Sequence, residues 1–363
     1  MYDFDKIIPR ENTYSLKWDA AEKDVLPMWV ADMDFQAPPE VIAALKERVE
    51  HGVFGYGGYG GWFEALAKWM GKRYGWRPEL EWISTSPGVV AGLLMLVRAL
   101  TEPGDKIVIQ PPVYRPFYYI ARSNGCDLVE NPLYFDGHKY RMDLDQLKKV
   151  VDSQVKLLIL CSPHNPVGRV WSREELAELG EFCLEHEIII IADEIHSDLV
   201  LPGYKHTVLT SISTEMEEQM IVCNAPSKTF NIPGIHASNI IIPNERFRSA
   251  YQEVLRGSGL SLPNVFAVTA VEAAYTYGEA WLEELLRYIE GNYQLVATYL
   301  AERIPEVKMI EPEGTYLLWL DFRSLGLQDE ELNVFIREKA KLLLESGTIF
   351  GTGGSGFQRM NIA

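Results

Sequence analysis

Residues 220–231 read MIVCNAPSKTFN and join a short apolar run, Met220–Cys223, to a polar segment that contains Lys228. Four apolar residues bounded by turn residues are typical of a buried strand, so Lys228 is predicted to lie just beyond a strand end. A lone lysine beside serine and threonine is most often a solvated loop residue, because lysine is rarely buried unless it is paired. Whether Lys228 has a function therefore depends on which residues lie near it.

A second buried strand is predicted to end in a carboxylate. Asp193 directly follows the apolar run Ile188–Ala192 and stands thirty-five positions before Lys228. Continuous apolar runs are typical of parallel strands, whose carboxyl ends meet at one edge of the sheet. A buried carboxylate keeps its charge only beside a cation. The pyridinium nitrogen of pyridoxal phosphate is such a cation, and proteins hold this cofactor with a Schiff-base lysine and an aspartate, so Lys228 and Asp193 fit it.

Composition excludes several classes of protein. With 363 residues, 47% of them hydrophobic, the chain can bury a large core and is expected to form two domains. The formal net charge of −17 argues against nucleic acid and against an anionic membrane as the main partner. Four cysteines without metal-ligand spacing predict reduced thiols, a cytoplasmic location and no metal site. Because the first residues lack an export-signal pattern and no apolar run approaches the ~20 residues of a membrane span, we expect a soluble, unexported protein.

Predicted helices and strands alternate from Trp62 onward. The strands of this region are predicted at Lys106 to Gln110, Asp127 to Glu130, Val155 to Leu160, Ile188 to Ala192, Met220 to Cys223 and Asn239 to Ile242. Several are continuous apolar runs, which predicts an α/β domain with a mainly parallel sheet covered on both faces. A long helix, Glu279 to Arg303, then leads to a smaller α+β domain with strand Thr315 to Asp321 and helix Asp329 to Ser346. We expect residues 1–48 to form an N-terminal arm and part of the small domain, residues 49–281 the large domain, and residues 282–363 the rest of the small domain.

Further candidate site residues lie at predicted strand ends. Gly88 and Val89 begin a helix whose free N–H groups could hold a phosphate, although any helix start with glycine has this pattern. Tyr114 follows a strand and is either a core tyrosine or a ring on which a planar cofactor stacks. Asn165 lies in a segment that is either a simple turn or presents an amide donor. His196 either donates to a cofactor oxygen or is a core imidazole.

Four motifs occur in a fixed order along the chain: PPVY ending at Tyr114, SPHNPVG at 162–168, ADEIH at 192–196 and SKTFN at 227–231. Together they resemble the class I/II aminotransferase-fold enzymes, which depend on pyridoxal phosphate. Within that fold, the segments PMWVADMDF, FGYGGYG and ADEIHSDL are similar to the cystathionine β-lyase/cystalysin group, also called MalY/PatB. Composition alone would predict only a flexible loop for the glycine-rich FGYGGYG region. The resemblance extends from about Leu26 to Ala363.

The resemblance implies fold type I, with a mainly parallel seven-stranded sheet between helices in the large domain and a smaller α+β domain. It also implies a homodimer with composite active sites. The site residues that it implies are Lys228 as the Schiff-base lysine, Asp193 at the pyridinium nitrogen, Asn165 and His196 near the ring hydroxyl, Tyr114 stacked on the ring, Gly88, Val89 and Ser227 at the phosphate, Tyr56 at the phosphate of the neighbouring subunit's cofactor, and Arg359 at the substrate carboxylate. An arginine fork matches a carboxylate bidentately.

Two features depart from the pattern of the fold. Typical aminotransferases have an arginine eight residues after the Schiff-base lysine, where this chain has His236, so the phosphate loses a fixed charge. This difference points away from mainstream aminotransferases and is tolerated in the lyase group. Members of the group also usually continue beyond the position of Ala363, so the small domain is expected to be incomplete at its C-terminus.

The function implied by the resemblance is a homodimeric lyase that cleaves the Cβ–S bond of cystathionine or cysteine-like substrates to a thiol, pyruvate and ammonia. An aminotransferase is the alternative, because it shares every step up to the carbanion and then returns the proton to the cofactor. A third hypothesis is a cofactor-binding regulator that docks on another protein, although no sequence feature supports it. The pair of Lys228 and Asp193 is compatible with all three hypotheses.

Overall fold

Seven strands form the large sheet in the computed structural model, which describes residues 2–363. Their bounds are β1 Ile83–Ser86, β2 Lys106–Ile109, β3 Asp127–Glu130, β4 Val155–Cys161, β5 Ile189–Asp193, β6 Met220–Asn224 and β7 Ser238–Ile241. They lie in the order β1-β7-β6-β5-β4-β2-β3, and only β7 runs antiparallel to its neighbours. The predicted mainly parallel, seven-stranded sheet is therefore confirmed.

Helices cover both faces of this sheet. Along β4 successive side chains point to opposite faces, so Leu157 and Ile159 pack into one apolar core while Leu158 and Leu160 pack into another. The α-helices of the protein are Leu16–Asp19, Pro39–His51, Trp62–Tyr74, Val89–Leu100, Pro116–Ser123, Leu144–Val150, Arg173–Glu185, Thr214–Gln219, Pro226–Thr229, Glu245–Gly257, Val265–Tyr277, Glu279–Arg303 and Asp329–Phe335. Every residue of β5 and β6 is buried, which explains why both strands are apolar runs.

A second, smaller sheet lies in the C-terminal part of the chain. Its strands are β8 Lys308–Met309, β9 Leu317–Asp321, β10 Glu345–Ser346 and β11 Phe357–Asn361. They lie in the order β8-β9-β11-β10 and are all antiparallel. Two short pairs complete the strands: Leu26–Pro27 runs parallel to Leu342–Leu343, and Tyr134–Phe135 runs antiparallel to Tyr140–Arg141. The first pair attaches the N-terminal arm to the C-terminal part of the chain.

The prediction of one helix from Asp329 to Ser346 is wrong in its second half. The α-helix ends at Phe335, a wider helical turn follows at Ile336–Ala340, and Lys341 adopts a left-handed conformation with φ of 55°. This conformation is incompatible with a continuing helix. The chain then pairs with the N-terminal arm, a partner more than 300 residues away in sequence. The other predicted helices and strands occur with small shifts at their ends. The elements that were not predicted are β1, β8, β10, β11, the two short strand pairs and the short helices Leu16–Asp19, Pro116–Ser123, Thr214–Gln219 and Pro226–Thr229.

Within residues 2–363, no helix combines the length and the apolar character that crossing a membrane requires.

The four cysteines, Cys126, Cys161, Cys183 and Cys223, are free and buried. The reduced state predicted for these thiols agrees with this arrangement.

Candidate active site

The carboxyl group of Asp193 and the amine of Lys228, which were predicted to act together, lie at the same edge of the large sheet. Asp193 is the last residue of β5, and its Cα is the register partner of Cys223 on the parallel neighbour β6. Lys228 lies on the short helical turn Pro226–Thr229, which begins two residues after β6 ends. Adjacent parallel strands therefore deliver a carboxylate and an amine to one place.

A cavity of about 640 Å³ opens at this edge of the sheet. Nine of the ten predicted site residues line it: Gly88, Val89, Tyr114, Asn165, Asp193, His196, Ser227, Lys228 and Arg359. Tyr56 does not line it. The side chain of Tyr56 is almost fully exposed and borders a neighbouring cavity of about 550 Å³. The two cavities share Pro87 and His236 as lining residues, so Tyr56 lies beside the site without reaching into it.

Asp193 is a buried carboxyl group without a strong cationic partner. It accepts one hydrogen bond, from the backbone N–H of Ile195 at 3.1 Å. Burial raises the pKa of Asp193 from 3.8 to about 7, although the Ile195 N–H and the Lys228 charge oppose the rise. A cation placed against this carboxyl group would lower its pKa again and fix the negative charge. Asp193 is thus suited to face a protonated ring nitrogen.

The amine of Lys228 has a pKa that lies close to neutral pH. Its Nζ donates to the carbonyl oxygen of Ala31 at 2.6 Å. Burial lowers the pKa of Lys228 to about 8, with a further lowering by the charge of Arg359, while Asp32 and Asp193 act in the opposite direction. A substantial fraction of the amine is therefore neutral at slightly alkaline pH and available for proton transfer.

His196 contributes an unpaired polar atom to the cavity wall. The residue is buried, and its Nδ1 has no hydrogen-bond partner in the protein. Burial lowers the pKa of His196 to about 3, and the charges of Lys228 and Arg359 lower it further, so the imidazole is neutral. A buried polar atom without a partner costs free energy, which a ligand with a complementary group would recover.

Arg359 lies on β11 and lines the cavity. One guanidinium nitrogen donates to Oδ1 of Asn165 at 3.0 Å, and another donates to the carbonyl oxygen of Trp29 at 2.7 Å. The nearest carboxylate, that of Glu345, is 3.7 Å away, and the guanidinium stacks over the ring of Phe350 at 5.0 Å. The Nε atom has no partner. The guanidinium is therefore oriented by neutral groups and keeps capacity to bind an anion.

The helix Val89–Leu100 points its N-terminus at the cavity. Gly88 caps this helix with φ of 153°, a conformation that favours glycine. The first N–H groups of a helix carry partial positive charge and bind phosphate oxygens. Ser227 also lines the cavity, and Nδ1 of His236 lies 3.3 Å from the carbonyl oxygen of Pro87. This end of the cavity can thus receive a phosphate without a fixed arginine charge.

Three residues of the site were not found by sequence reasoning. The carbonyl oxygen of Ala31 accepts from Lys228 and also from the hydroxyl of Tyr316 at 2.9 Å. The ring of Tyr316 packs edge-on against His196 at 6.0 Å, and Glu345 lines the cavity beside Arg359. The motif PMWVADMDF contains Ala31 and carried the resemblance, but no local pattern marks Tyr316 or Glu345.

The chemistry of the cavity fits pyridoxal phosphate. A planar ring with a nitrogen, a hydroxyl and a phosphate would meet the carboxyl of Asp193, the unpaired Nδ1 of His196 and the helix start at Val89. Asp193 accepts only the one hydrogen bond from Ile195 and has no ion-pair partner, and Nδ1 of His196 has no partner at all. The amine of Lys228 lies in the same cavity. The residues present therefore match the cofactor predicted from the sequence.

Comparison with known proteins places the chain in a family. The model of the family "Aminotransferase class I and II" matches residues 23–363. The chain is 49% identical to the cystathionine β-lyase PatB of Bacillus subtilis, over 99% of this chain and 95% of PatB. Its structure matches cystalysin of Treponema denticola, solved with pyridoxal 5'-phosphate, with a TM-score of 0.97, 38% identity and coverage of 100% and 94% of the two chains. It also matches the C-S lyase of Staphylococcus hominis, with a TM-score of 0.92, 34% identity and coverage of 100% and 94%. The chain therefore belongs to the aminotransferase class I and II family and, within it, to the MalY/PatB group of C–S lyases.

Proposed function

We propose that this protein is a pyridoxal phosphate-dependent C–S β-lyase that cleaves cystathionine or cysteine-like substrates to a thiol, pyruvate and ammonia. The observation that carries the proposal is that Lys228 and Asp193 line one cavity in a chain 49% identical to the cystathionine β-lyase PatB. The substrate is an amino acid whose α-carboxylate, α-amine and β-sulfur must each be bound or activated.

Residues of this chain would hold the cofactor at three points. Asp193 would keep a proton at the ring nitrogen, because its buried carboxyl group is stabilised in the charged form by a cation. Asn165 and the neutral His196 would face the ring hydroxyl, and Tyr114 would stack on the ring. Gly88, Val89 and Ser227 would bind the phosphate. When bound, pyridoxal phosphate supplies the electron sink for the substrate α-carbon.

Arg359 binds the substrate α-carboxylate. Its guanidinium is oriented by Asn165 and by the carbonyl oxygen of Trp29, so two parallel N–H groups can face a carboxylate. The side chain is only 4% exposed, which strengthens the attraction between the two charges. This anchor fixes the α-carbon relative to the amine of Lys228.

Lys228 moves the proton of the reaction. Its pKa of about 8 means that the amine is partly neutral under mildly alkaline conditions and can accept the α-proton. Loss of this proton allows the sulfur substituent to leave from the β-carbon as a thiolate, which takes up a proton to give the thiol. The remaining 2-aminoacrylate is then hydrolysed by water to pyruvate and ammonia. Arg359 contributes to the low pKa of Lys228, so the residue that binds the carboxylate also favours the neutral base.

Product analysis with L-cystathionine tests the proposal. We expect the purified protein loaded with pyridoxal phosphate to form thiol, pyruvate and ammonia in equal amounts without an added keto acid. Turnover that requires a 2-keto acid would identify an aminotransferase instead. Cofactor binding without turnover of any cysteine-like substrate would favour a regulatory role.

We further propose a homodimer in which Tyr56 reaches the cofactor phosphate of the partner subunit. The exposed position of Tyr56 beside the site of its own chain supports this assignment, as do the exposed apolar side chains of Val53, Phe54 and Leu262. Exposed apolar patches of this kind favour contact with another protein surface. Each active site would then be composite.

Complementation between subunits tests the role of Tyr56. We expect Lys228→Ala and Tyr56→Phe each to be impaired, and their co-expressed mixture to recover about a quarter of wild-type activity, because one site of each mixed dimer carries neither change. Tyr59→Phe is the matched control, since the Tyr59 hydroxyl donates to the carbonyl oxygen of Ser261 in its own chain at 2.7 Å. Failure to recover activity in confirmed mixed dimers would assign Tyr56 to its own subunit.

We also propose that the domain boundaries lie between residues 48 and 49 and between residues 281 and 282. The strands of the large sheet fall within 83–241 and those of the four-stranded sheet within 308–361, while the arm strand Leu26–Pro27 pairs near the latter. These positions support the boundaries, and helix Glu279–Arg303 would connect the two domains.

We further propose a cytoplasmic location. Four free, buried thiols support a reducing compartment.

A further inference from the structure

A buried carboxylate outside the cavity, that of Asp198, accepts from donors on two segments of the chain, the helix Trp62–Tyr74 and the turn Pro226–Thr229. Asp198 is 5% exposed and accepts from Nε1 of Trp69 at 3.1 Å and 3.2 Å and from the hydroxyl of Tyr74. Nε of Arg73 forms an ion pair with it at 2.9 Å. The fourth donor is the hydroxyl of Thr229, whose Oγ1 lies 2.9 Å from Oδ2 of Asp198. No step of the proposed mechanism uses this carboxylate.

Thr229 connects this carboxylate to the active-site amine, because it directly follows Lys228 on the turn Pro226–Thr229. The turn has only four residues and cannot hold its own conformation, since helices this short are unstable in isolation. Thr229 is 1% exposed, so its hydroxyl has no solvent to replace Asp198 as acceptor. The hydrogen bond to Asp198 is therefore one of the contacts that determine the position of the turn.

A second anchor holds the chain just after the turn. The side-chain amide of Asn231 accepts from the N–H of Met33 at 2.9 Å and donates to the carbonyl oxygens of Met33 at 2.9 Å and Phe35 at 2.7 Å. Asn231 thus attaches the segment to the N-terminal arm. Asp198 attaches Thr229 to the helix Trp62–Tyr74. The chain is thus fixed at the residue directly after Lys228 and again at Asn231.

We propose that Asp198 is a positioning residue that fixes the amine of Lys228 through the hydroxyl of Thr229, an inference that rests on the proposed function. A general base works only within hydrogen-bond reach of its proton, and a displacement of about 1 Å can cost on the order of 100-fold in rate. Arg359, which would bind the substrate carboxylate, is oriented by Asn165 and Trp29 and not by the turn. Loss of the Asp198 anchor therefore lowers kcat more than it raises KM.

Substitutions at Thr229 isolate the hydrogen bond. We expect Thr229→Val, which removes the hydroxyl but keeps the shape, to lower kcat for L-cystathionine by about 10-fold to 100-fold, with KM changed by less than about threefold. Thr229→Ser retains the hydroxyl and is expected to restore most of the lost turnover. Equal kcat values for the valine and serine variants would overturn the proposal.

Asp198→Asn tests the acceptor, with Glu313→Gln as its matched control. Glu313 is also a buried carboxylate, held by Nε of Arg169 at 2.9 Å, and it does not line the active-site cavity. We expect Asp198→Asn to lower kcat by the same factor as Thr229→Val. The double variant that combines Asp198→Asn with Thr229→Val should lower kcat no further, and Glu313→Gln should keep the wild-type kcat. Equal losses of kcat in Asp198→Asn and Glu313→Gln, or additive losses in the double variant, would contradict the assignment.

A readout that does not depend on turnover separates this inference from the proposed function. The pH at which the absorbance of the bound cofactor changes reports the surroundings of the Lys228 nitrogen. We expect this pH to shift in Asp198→Asn and Thr229→Val but not in Glu313→Gln. An inactive wild-type protein would refute the lyase function alone, whereas unshifted titrations in both variants would refute the positioning role alone.

Discussion

Replacing Lys228 with alanine is expected to abolish turnover, with a loss of about 10⁴-fold or more, because the substitution removes the group that transfers the α-proton and the amine that attaches the cofactor. We expect the cofactor still to bind noncovalently, since Asp193 and the helix start at Val89 are unchanged. The measurement is kcat with L-cystathionine, together with borohydride reduction and mass analysis, in which only the wild type should retain the cofactor mass.

The fold of the Lys228→Ala protein serves as the control. Burial disfavours the charged form of Lys228, so its removal relieves a cost, and circular dichroism and thermal unfolding should match the cofactor-free wild type. Near-normal turnover in a correctly folded Lys228→Ala protein would refute the central assignment. Covalent attachment of the cofactor to a lysine other than Lys228 in the wild-type protein would refute the assignment as well.

Replacing Asp193 with alanine is expected to reduce kcat far more than cofactor affinity. Without the carboxylate, the ring nitrogen is no longer held protonated, and loss of one preorganised electrostatic partner costs about 10²–10³-fold in kcat. The phosphate contacts proposed for Gly88, Val89 and Ser227 do not involve Asp193, so the dissociation constant of the cofactor is expected to change less. Steady-state kinetics and absorbance titration with pyridoxal phosphate measure the two quantities.

The pH dependence of stability provides the control for Asp193→Ala. Because burial raises the pKa of Asp193 from 3.8 to about 7, the folded cofactor-free protein loses stability as pH rises through this interval and carries the full cost above it. The alanine variant lacks this cost, so its cofactor-free form should unfold at no lower temperature than the wild type at pH 8. An unchanged kcat in such a stable variant would contradict the role of Asp193.

The strands of the large sheet were largely predictable because burial on both faces requires continuous apolar runs. β5 and β6 were recognised in this way, and their ends carried Asp193 and the segment with Lys228. β1 was missed because its sequence, Ile-Ser-Thr-Ser, is mostly polar although every residue is buried. The false extension of the helix after Phe335 has a similar cause, since the pairing of Leu342–Leu343 with the arm depends on a distant partner.

The candidate site was predictable where a residue follows a strand or belongs to a motif. Asn165 and His196 come shortly after β4 and β5, and the cavity brings them together with Lys228. Tyr316 could not be found, because its hydroxyl meets Ala31 across 285 positions of sequence. The link between Asp198 and Thr229 spans 31 positions and likewise has no local pattern. Side-chain contacts between segments follow from tertiary packing and not from periodicity.

The attachment of the N-terminal arm has a consequence for the order of folding. The carbonyl oxygen of Trp29 meets Arg359 across 330 positions, and that of Ala31 meets Lys228 across 197 positions. Contacts between residues so far apart in sequence are expected to form late, because the entropy of closing long loops opposes them until the rest of the chain is organised. The large sheet can therefore form while Lys228 and Arg359 still lack the carbonyl groups that orient them. We infer that the site becomes competent only in a late docking step, when the arm segment with Trp29 and Ala31 reaches Arg359 and Lys228.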